Sequence, residues 1–282
     1  MKTHSTNPNL SEPRWLRVLL TATALGFLLL MLVVPLVAVF YEALKGGWDL
    51  YLQSLTDPEA WSAIKLTLIT ALIVVPVNAI LGVAMAWLLT RFDFRGKQLL
   101  TTLLDLPFAL PTAVTGIALA TLYAPNGWIG RFFEPLGIKI AFTPIGIWIA
   151  LIVVSLPFIV RAVQPVLEEL SGEYEEAAAT LGASRWTTFR RVLLPEITPA
   201  LLTGAGMMFA RSTGEYGSVI FIAGNIPMVS EILPLIITGK LEQYDAQGAS
   251  AVALFMLMIS FVILLILNIM QWTLSRRAGA KV

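Results

Sequence analysis

Between Asp245 and Arg276 the chain carries no charged residue. A bilayer is crossed by about 20 apolar residues in a helix, so this stretch alone restricts the fold to one that lives in lipid. Similar runs recur along the chain, at about 16–41, 62–90, 99–123, 144–165 and 196–222, with the last at about 246–272. A helix satisfies its own backbone groups in lipid. The chain therefore reads as an all-α, polytopic integral membrane protein with six transmembrane helices. The first run is too long for the apolar part of a signal peptide and shows no cleavage site, so it is expected to be a retained anchor.

Composition agrees. Charged residues make up 13% of the 282 residues, against about 25% in soluble domains. The net charge of +1 gives no basic surface for nucleic acid. With no cysteine and a single histidine, His4 in the polar start, the chain offers no metal set and no catalytic nucleophile–base pair. Lys and Arg placement gives the orientation. With six spans, one side holds Lys2, Arg14, Arg17, Arg91, Arg95, Lys97, Arg161, Arg185, Arg190, Arg191, Arg276, Arg277 and Lys281; the other holds Lys45, Lys65, Arg131, Lys139 and Lys240. Both termini are expected in the cytoplasm. Pro35, Pro76, Pro107, Pro111 and Pro157 fall inside the runs, and the third run, with two prolines four apart, is the most broken.

One segment cannot be a span. Residues 173–195, EYEEAAATLGASRWTTFRRVLLP, gather Glu173, Glu175, Glu176, Arg185, Arg190 and Arg191. Each charge at a helix centre costs about 2.5–3.5 kcal/mol in lipid, so the set would cost well over about 10 kcal/mol. The segment is an aqueous insert, and its sequence is that of a structured one. Ser171 can cap a helix whose first turns hold three glutamates, where the helix dipole favours anions. Ala177, Ala178 and Ala179 keep it helical with a shallow surface, and Gly182 can supply a left-handed stop. Ser184 starts a second, basic segment with Trp186, Phe189 and Val192 on one side, ended by Pro195 before the fifth span. Such a surface suits docking into a groove of another protein. An interfacial anchor helix fits the composition equally well.

The spacing Glu176-Ala177-Ala178, three residues, Gly182, nine residues, Val192-x-Leu194-Pro195 resembles the EAA signature of permease subunits of binding-protein-dependent ABC importers. Only Val192 departs, standing for isoleucine. The resemblance implies a type I ABC importer permease fold, with the insert as the helix that couples to a cytoplasmic ATPase through Glu175, Glu176, Ala177, Ala178, Gly182, Arg185 and Pro195. No G-x4-GK[ST] phosphate loop occurs in the chain, so ATP and magnesium are expected in a partner ATPase and no cofactor in this chain. Residues 106–130, the insert and residues 211–227 further resemble the T-type subunit of sulfate/thiosulfate permeases. That resemblance implies a second, W-type permease subunit, two ATPase copies, a periplasmic sulfate-binding protein and a bacterial inner-membrane location. Molybdate/tungstate permeases are similar around the insert and the fifth span. The implied organisation is a cytoplasmic tail over 1–15, a first helix over 16–41, a permease domain over 60–272 with its coupling loop at 166–195, and a tail over 273–282.

Ionisable residues within spans are candidates for function. Arg211 and Glu215, four apart in the fifth run, are expected to share a helix face and pair. With Ser212 and Thr213 they form a small, polar block suited to a water-lined wall, and are the candidates for the substrate path. A purely structural pair is the competing reading. Asp105 and Arg161 lie at matching depth in the third and fourth runs and are expected to brace them by an ion pair. Asn78 is expected to hydrogen-bond a neighbouring helix. Residues 226–240 fit either a re-entrant gate helix or a surface helix. A secondary transporter or channel also fits six spans and a buried pair; the insert spacing argues against it.

Overall fold

The computed structural model describes residues 13–170 and 172–279, the side chains of 275–279 excepted. His4 and the expected cap at Ser171 lie outside them. The described residues form helices and connections, with no strand. Among the described residues, five helices are long and apolar enough to cross a membrane, and a sixth crossing exists if one bent pair is counted as a single span.

The first crossing is α1 (Arg14–Leu28) and α2 (Val34–Leu44), joined by a π-turn over Leu29–Val33. Pro35 lies in the first turn of α2. Proline has no N–H to return to the preceding turn, and the widened turn beside it absorbs that defect. Ala43 is the one buried residue within these two helices. Val39 packs against the second core, and most of their other apolar surface is uncovered by the described residues, as suits a helix whose neighbours are lipid or another subunit. Between the first two runs lies a short helix, α3 (Trp48–Thr56), before α4 (Pro58–Arg91) makes the second crossing.

The third run is not a straight rod. It divides into α5 (Lys97–Ala109) and α6 (Thr112–Tyr123), which meet at 114°. The break falls at Leu110, whose backbone is extended (φ −89°, ψ 140°). The ring of Pro111 disfavours helical backbone in the residue before it, which puts the corner there and not at Pro107. A short α7 (Gly130–Phe133) leads to α8 (Pro144–Glu169). The insert helix α9 (Glu173–Thr180) follows.

The fifth crossing also departs from the sequence expectation of 196–222. α10 (Arg185–Thr188), a π-turn over Phe189–Leu193 and α11 (Leu194–Thr213) run on as a single rod. Pro195 does not end the basic segment. It sits just after the π-turn, and the widened turn absorbs its missing N–H, as at Pro35. The rod stops at Thr213, so α12 (Gly217–Ala223) is a separate helix. After α13 (Leu233–Glu242), α14 (Ala246–Gly279) makes the last crossing.

The main core joins α4, α8, α11 and α12 through Val74, Leu151, Ile159, Leu167, Ile197, Met208 and Val219. A second core packs α13 onto α3, α4 and α14 through Leu233, Ile236, Tyr51, Ile64 and Val252. Between helices in lipid the hydrophobic effect offers little, so close packing and hydrogen bonds hold them. Asn78 supplies one such bond: its Nδ2 donates to Ser155 Oγ at 2.9 Å across α4 and α8, worth about 0.6 and at most about 1.7 kcal/mol. Close packing brings backbone against backbone where α6 crosses α12. A Cβ on Gly116 would stand 2.4 Å from the Ser218 carbonyl oxygen and 2.7 Å from its Cα. Those atoms are backbone and cannot turn aside, so only glycine permits this crossing.

Candidate functional site

The insert is built from local chemistry. Gly182 has φ +77°, a conformation other residues adopt at a cost. It allows the Gly182 N–H to reach Ala179 O at 2.9 Å and the Ala183 N–H to reach Ala178 O at 3.0 Å. Two carbonyls left open at the end of α9 are thereby satisfied, in the pattern that reverses a helix. Ser184 Oγ then accepts the Thr187 N–H at 3.2 Å and starts α10.

Tertiary contact fixes the insert to the bundle. Arg91, at the end of α4, donates from Nε to Glu175 at 2.8 Å and from Nη2 to the Leu170 carbonyl at 2.6 Å. Its guanidinium also lies over the Trp87 ring. Trp87 meets Phe189 edge-on, and Phe189 stacks on Trp186. Glu175 thus faces the bundle, while Glu176 and Ala177 are exposed and Ala178 is half-buried. Leu181 at the turn is 88% exposed, with Tyr174 also exposed. Arg185 and Pro195 are exposed, on the rod and not on this tip. Sequence reasoning misses Arg91 as a member of this site, because its partner is 84 positions away. The available signal is a cation closing a span beside a tryptophan, with an acid-rich insert to receive it.

The polar block of the fifth run is arranged differently from the helix-face expectation. Arg211 lies in the last turn of α11, and Glu215 lies beyond the helix end. Gly214 breaks the helix, so the pair closes around a turn and not along a helix face. Arg211 Nη1 donates to Glu215 Oε2. Glu215 Oε1 accepts the Ser218 N–H at 2.8 Å and the Ser218 hydroxyl at 2.9 Å, which caps α12. The carboxylate side chain is 2% exposed, whereas the arginine side chain keeps 35% exposed. Ser212 and Thr213 point elsewhere, into a cavity of about 20 Å³ shared with Thr67 and Thr70. Ser212 Oγ is buried there without a hydrogen-bond partner among the described residues.

Asp105 and Arg161 meet bidentately through one guanidinium edge, Nε at 3.0 Å from Oδ1 and Nη2 against Oδ2, joining α5 to α8. Both side chains remain more than a third exposed in this chain. Reversing the pair (Asp105→Arg with Arg161→Asp) is expected to recover about 1 kcal/mol of the stability lost in the single variants. Thermal unfolding in detergent measures it; a double variant no more stable than either single one would refute the brace.

The end opposite the insert holds a further carboxyl group that sequence reasoning passes over. Residues 226–240, read as a gate or surface helix, place α13 with Leu233, Leu235 and Ile236 buried. Glu231, just before α13, is 7% exposed. Burial pushes its carboxyl up from the usual range, Glu59 adds to the rise and Lys240 opposes it. A raised pKa means that the folded state favours the protonated form. The stability it contributes is complete below the unfolded value and is lost as pH rises through the folded one. Unfolding temperature is therefore expected to fall over that window, and Glu231→Gln is expected to flatten the dependence.

A membrane bundle with a clamped, exposed helical insert is the geometry that comparison with known proteins identifies. The model of the family described as "binding-protein-dependent transport system inner membrane component" matches residues 78–279. The chain belongs to that family. It is 46% identical over 255 residues to the sulfate transport system permease protein CysT of Escherichia coli, covering 90% of this chain and 92% of that one. It is 47% identical to the protein of the same name from Synechocystis, over 87% and 86% of the two chains. Among solved structures, a bacterial alginate ABC transporter in complex with its alginate-bound periplasmic protein superimposes with TM-score 0.75 at 18% identity, over 91% and 93%. The methionine ABC transporter MetNI in an inward-facing conformation gives 0.56 at 19%, over 78% and 99%. At these identities the structures speak for the fold, which is that of type I ABC importer permeases. This family member is a multi-span permease, not an ATPase.

Proposed function

We propose that the chain is the T-type permease subunit of a sulfate/thiosulfate importer of the bacterial inner membrane. Its termini and insert face the cytoplasm. It works with a W-type permease subunit, two copies of an ATPase that binds ATP with magnesium, and a periplasmic sulfate-binding protein. The observation that carries this reading is near-half identity, across nine-tenths of the chain, to proteins named as sulfate permeases. The structure supports the coupling part: the insert exposes Tyr174, Ala177 and Leu181 while Arg91 holds its other side to α4.

The rod from Arg185 to Thr213 gives the coupling a mechanical form. ATP-driven movement of the ATPase would displace α9 and the turn at Gly182. A continuous helix transmits displacement along its axis, and this one begins at the insert and ends beside Glu215. Arg211 and Glu215 pair their charges, and the Arg211 side chain keeps 35% of its surface exposed. A dianion delivered by a binding protein needs such a permissive wall and no tight site. Arg211 is proposed to guide it, Glu215 to set the arginine's position, and the hydroxyls of Ser212 and Thr213 to line the adjoining cavity. The pair Asp105–Arg161 is proposed to brace α5 against α8 during the motion.

Labelled sulfate uptake into vesicles, with molybdate and thiosulfate as competitors, tests the substrate. Uptake blocked better by molybdate than by sulfate would move the chain to the molybdate/tungstate permeases. Uptake that persists in ATP-depleted vesicles would make it a secondary transporter. At matched membrane abundance, Arg211→Ala is expected to lower sulfate uptake more than Arg211→Lys; normal uptake in both would remove Arg211 from the path.

A further inference from the structure

We propose that the groove between α4 and the Arg185–Thr213 rod is a binding site for one anionic phospholipid of the insert-side leaflet. The groove has a volume of about 730 Å³. Its wall is aliphatic: Ile80, Val83 and Ala84 come from α4, Leu194 and Leu201 from α11. Ile80 is 71% exposed, so none of the described residues covers it. In a membrane permease the medium against such a wall is hydrocarbon. Its rim is of another kind, made of Trp87, Trp186, Phe189 and Arg185. Indole rings and arginine at the head of an aliphatic wall mark the level of lipid headgroups. The wall continues for about 10 Å below the rim, taking 1.5 Å per residue from Trp87 to Ile80, which suits an acyl chain.

Charge selects the headgroup. Arg91, close by, is already neutralised by Glu175. Arg185 has no carboxylate within ion-pair distance among the described residues, and no acid lines the groove. A cation left without a partner above an apolar slot attracts a phosphodiester, by the same physics that draws anionic lipid to basic pockets between transmembrane helices. The site matters because of where it lies. A lipid seated there would touch both α4, which clamps the insert through Arg91, and the rod that leads to Arg211. It would stiffen the joint between them.

The test uses the whole importer complex, purified in mild detergent and given palmitoyl-oleoyl phosphatidylglycerol or the phosphatidylcholine of the same chains. Native mass spectrometry counts the lipid retained. The expected result is preferential retention of phosphatidylglycerol, about fivefold weaker in Arg185→Gln and restored in Arg185→Lys. Ala84→Trp, which fills the groove from an exposed position, is expected to lose the lipid, while Ala84→Ser keeps it. Equal retention of the two lipids, or retention unchanged by Ala84→Trp, would overturn the proposal. So would a photo-crosslinker at position 80 that captures the second permease subunit and not lipid.

Discussion

Glu215→Ala is expected to be the most destabilising single substitution in the polar block, by about 3–5 kcal/mol. The loss has three parts. Arg211 is left without its counter-charge, and the Ser218 N–H and hydroxyl lose the acceptor that starts α12. The carboxylate is 2% exposed, so water cannot replace what is removed. Glu215→Gln keeps an acceptor oxygen for Ser218 and is expected to lose less. Unfolding temperature in detergent, read with the yield of folded protein, measures the difference. A Glu215→Ala protein as stable as the parent would mean that the pair is not needed for the fold. The ranking also governs how transport data are read. Arg211 variants speak to the substrate path only where the protein remains at parental abundance.

The largest effect on coupling is expected at the tip of the insert. Leu181→Arg is expected to weaken association with the ATPase by about 30-fold or more, the loss of an interface hot spot, because it places a charge at the apolar tip. Its side chain is 88% exposed, so the permease itself should fold as before. Co-purification of the ATPase at increasing dilution, alongside the unfolding temperature of the permease, separates the two. Gly182→Val acts by a different route. An added Cβ there meets nothing within 4 Å, so its cost arises from the positive φ alone. It is expected to loosen the turn by about 1–2 kcal/mol and to weaken docking indirectly. A Leu181→Arg complex that stays intact and transports at the parental rate would exclude this turn from the docking surface.

The apolar runs, the insert between the fourth and fifth of them and the glycine stop at position 182 are legible in the residues themselves, because they are local features. Each depends on residues within a few turns of one another. Hydropathy summed over a run says that it can lie in lipid. It does not say that the run is straight, which is why α5 and α6 read as one span. Nor does it separate a helix from the turn that follows, which is why the spacing puts Glu215 on the face of a helix that ends at Thr213. Prolines are equally ambiguous. Pro111 marks a 114° corner, while Pro76 and Pro157 sit inside helices that continue.

The sequence by itself determined that this is a helical membrane protein with a structured insert, because periodicity, charge and glycine act locally; that it is a permease is what the resemblance of the insert's spacing implies. Only the tertiary structure decided which side of the insert is free. That depends on Arg91 reaching Glu175 across 84 positions, and on aromatic rings from α4 and the rod packing together. Ion pairs and packing between distant segments follow from where the helices lie relative to one another. No stretch of sequence contains that information on its own, because each helix can bury its apolar surface against many neighbours.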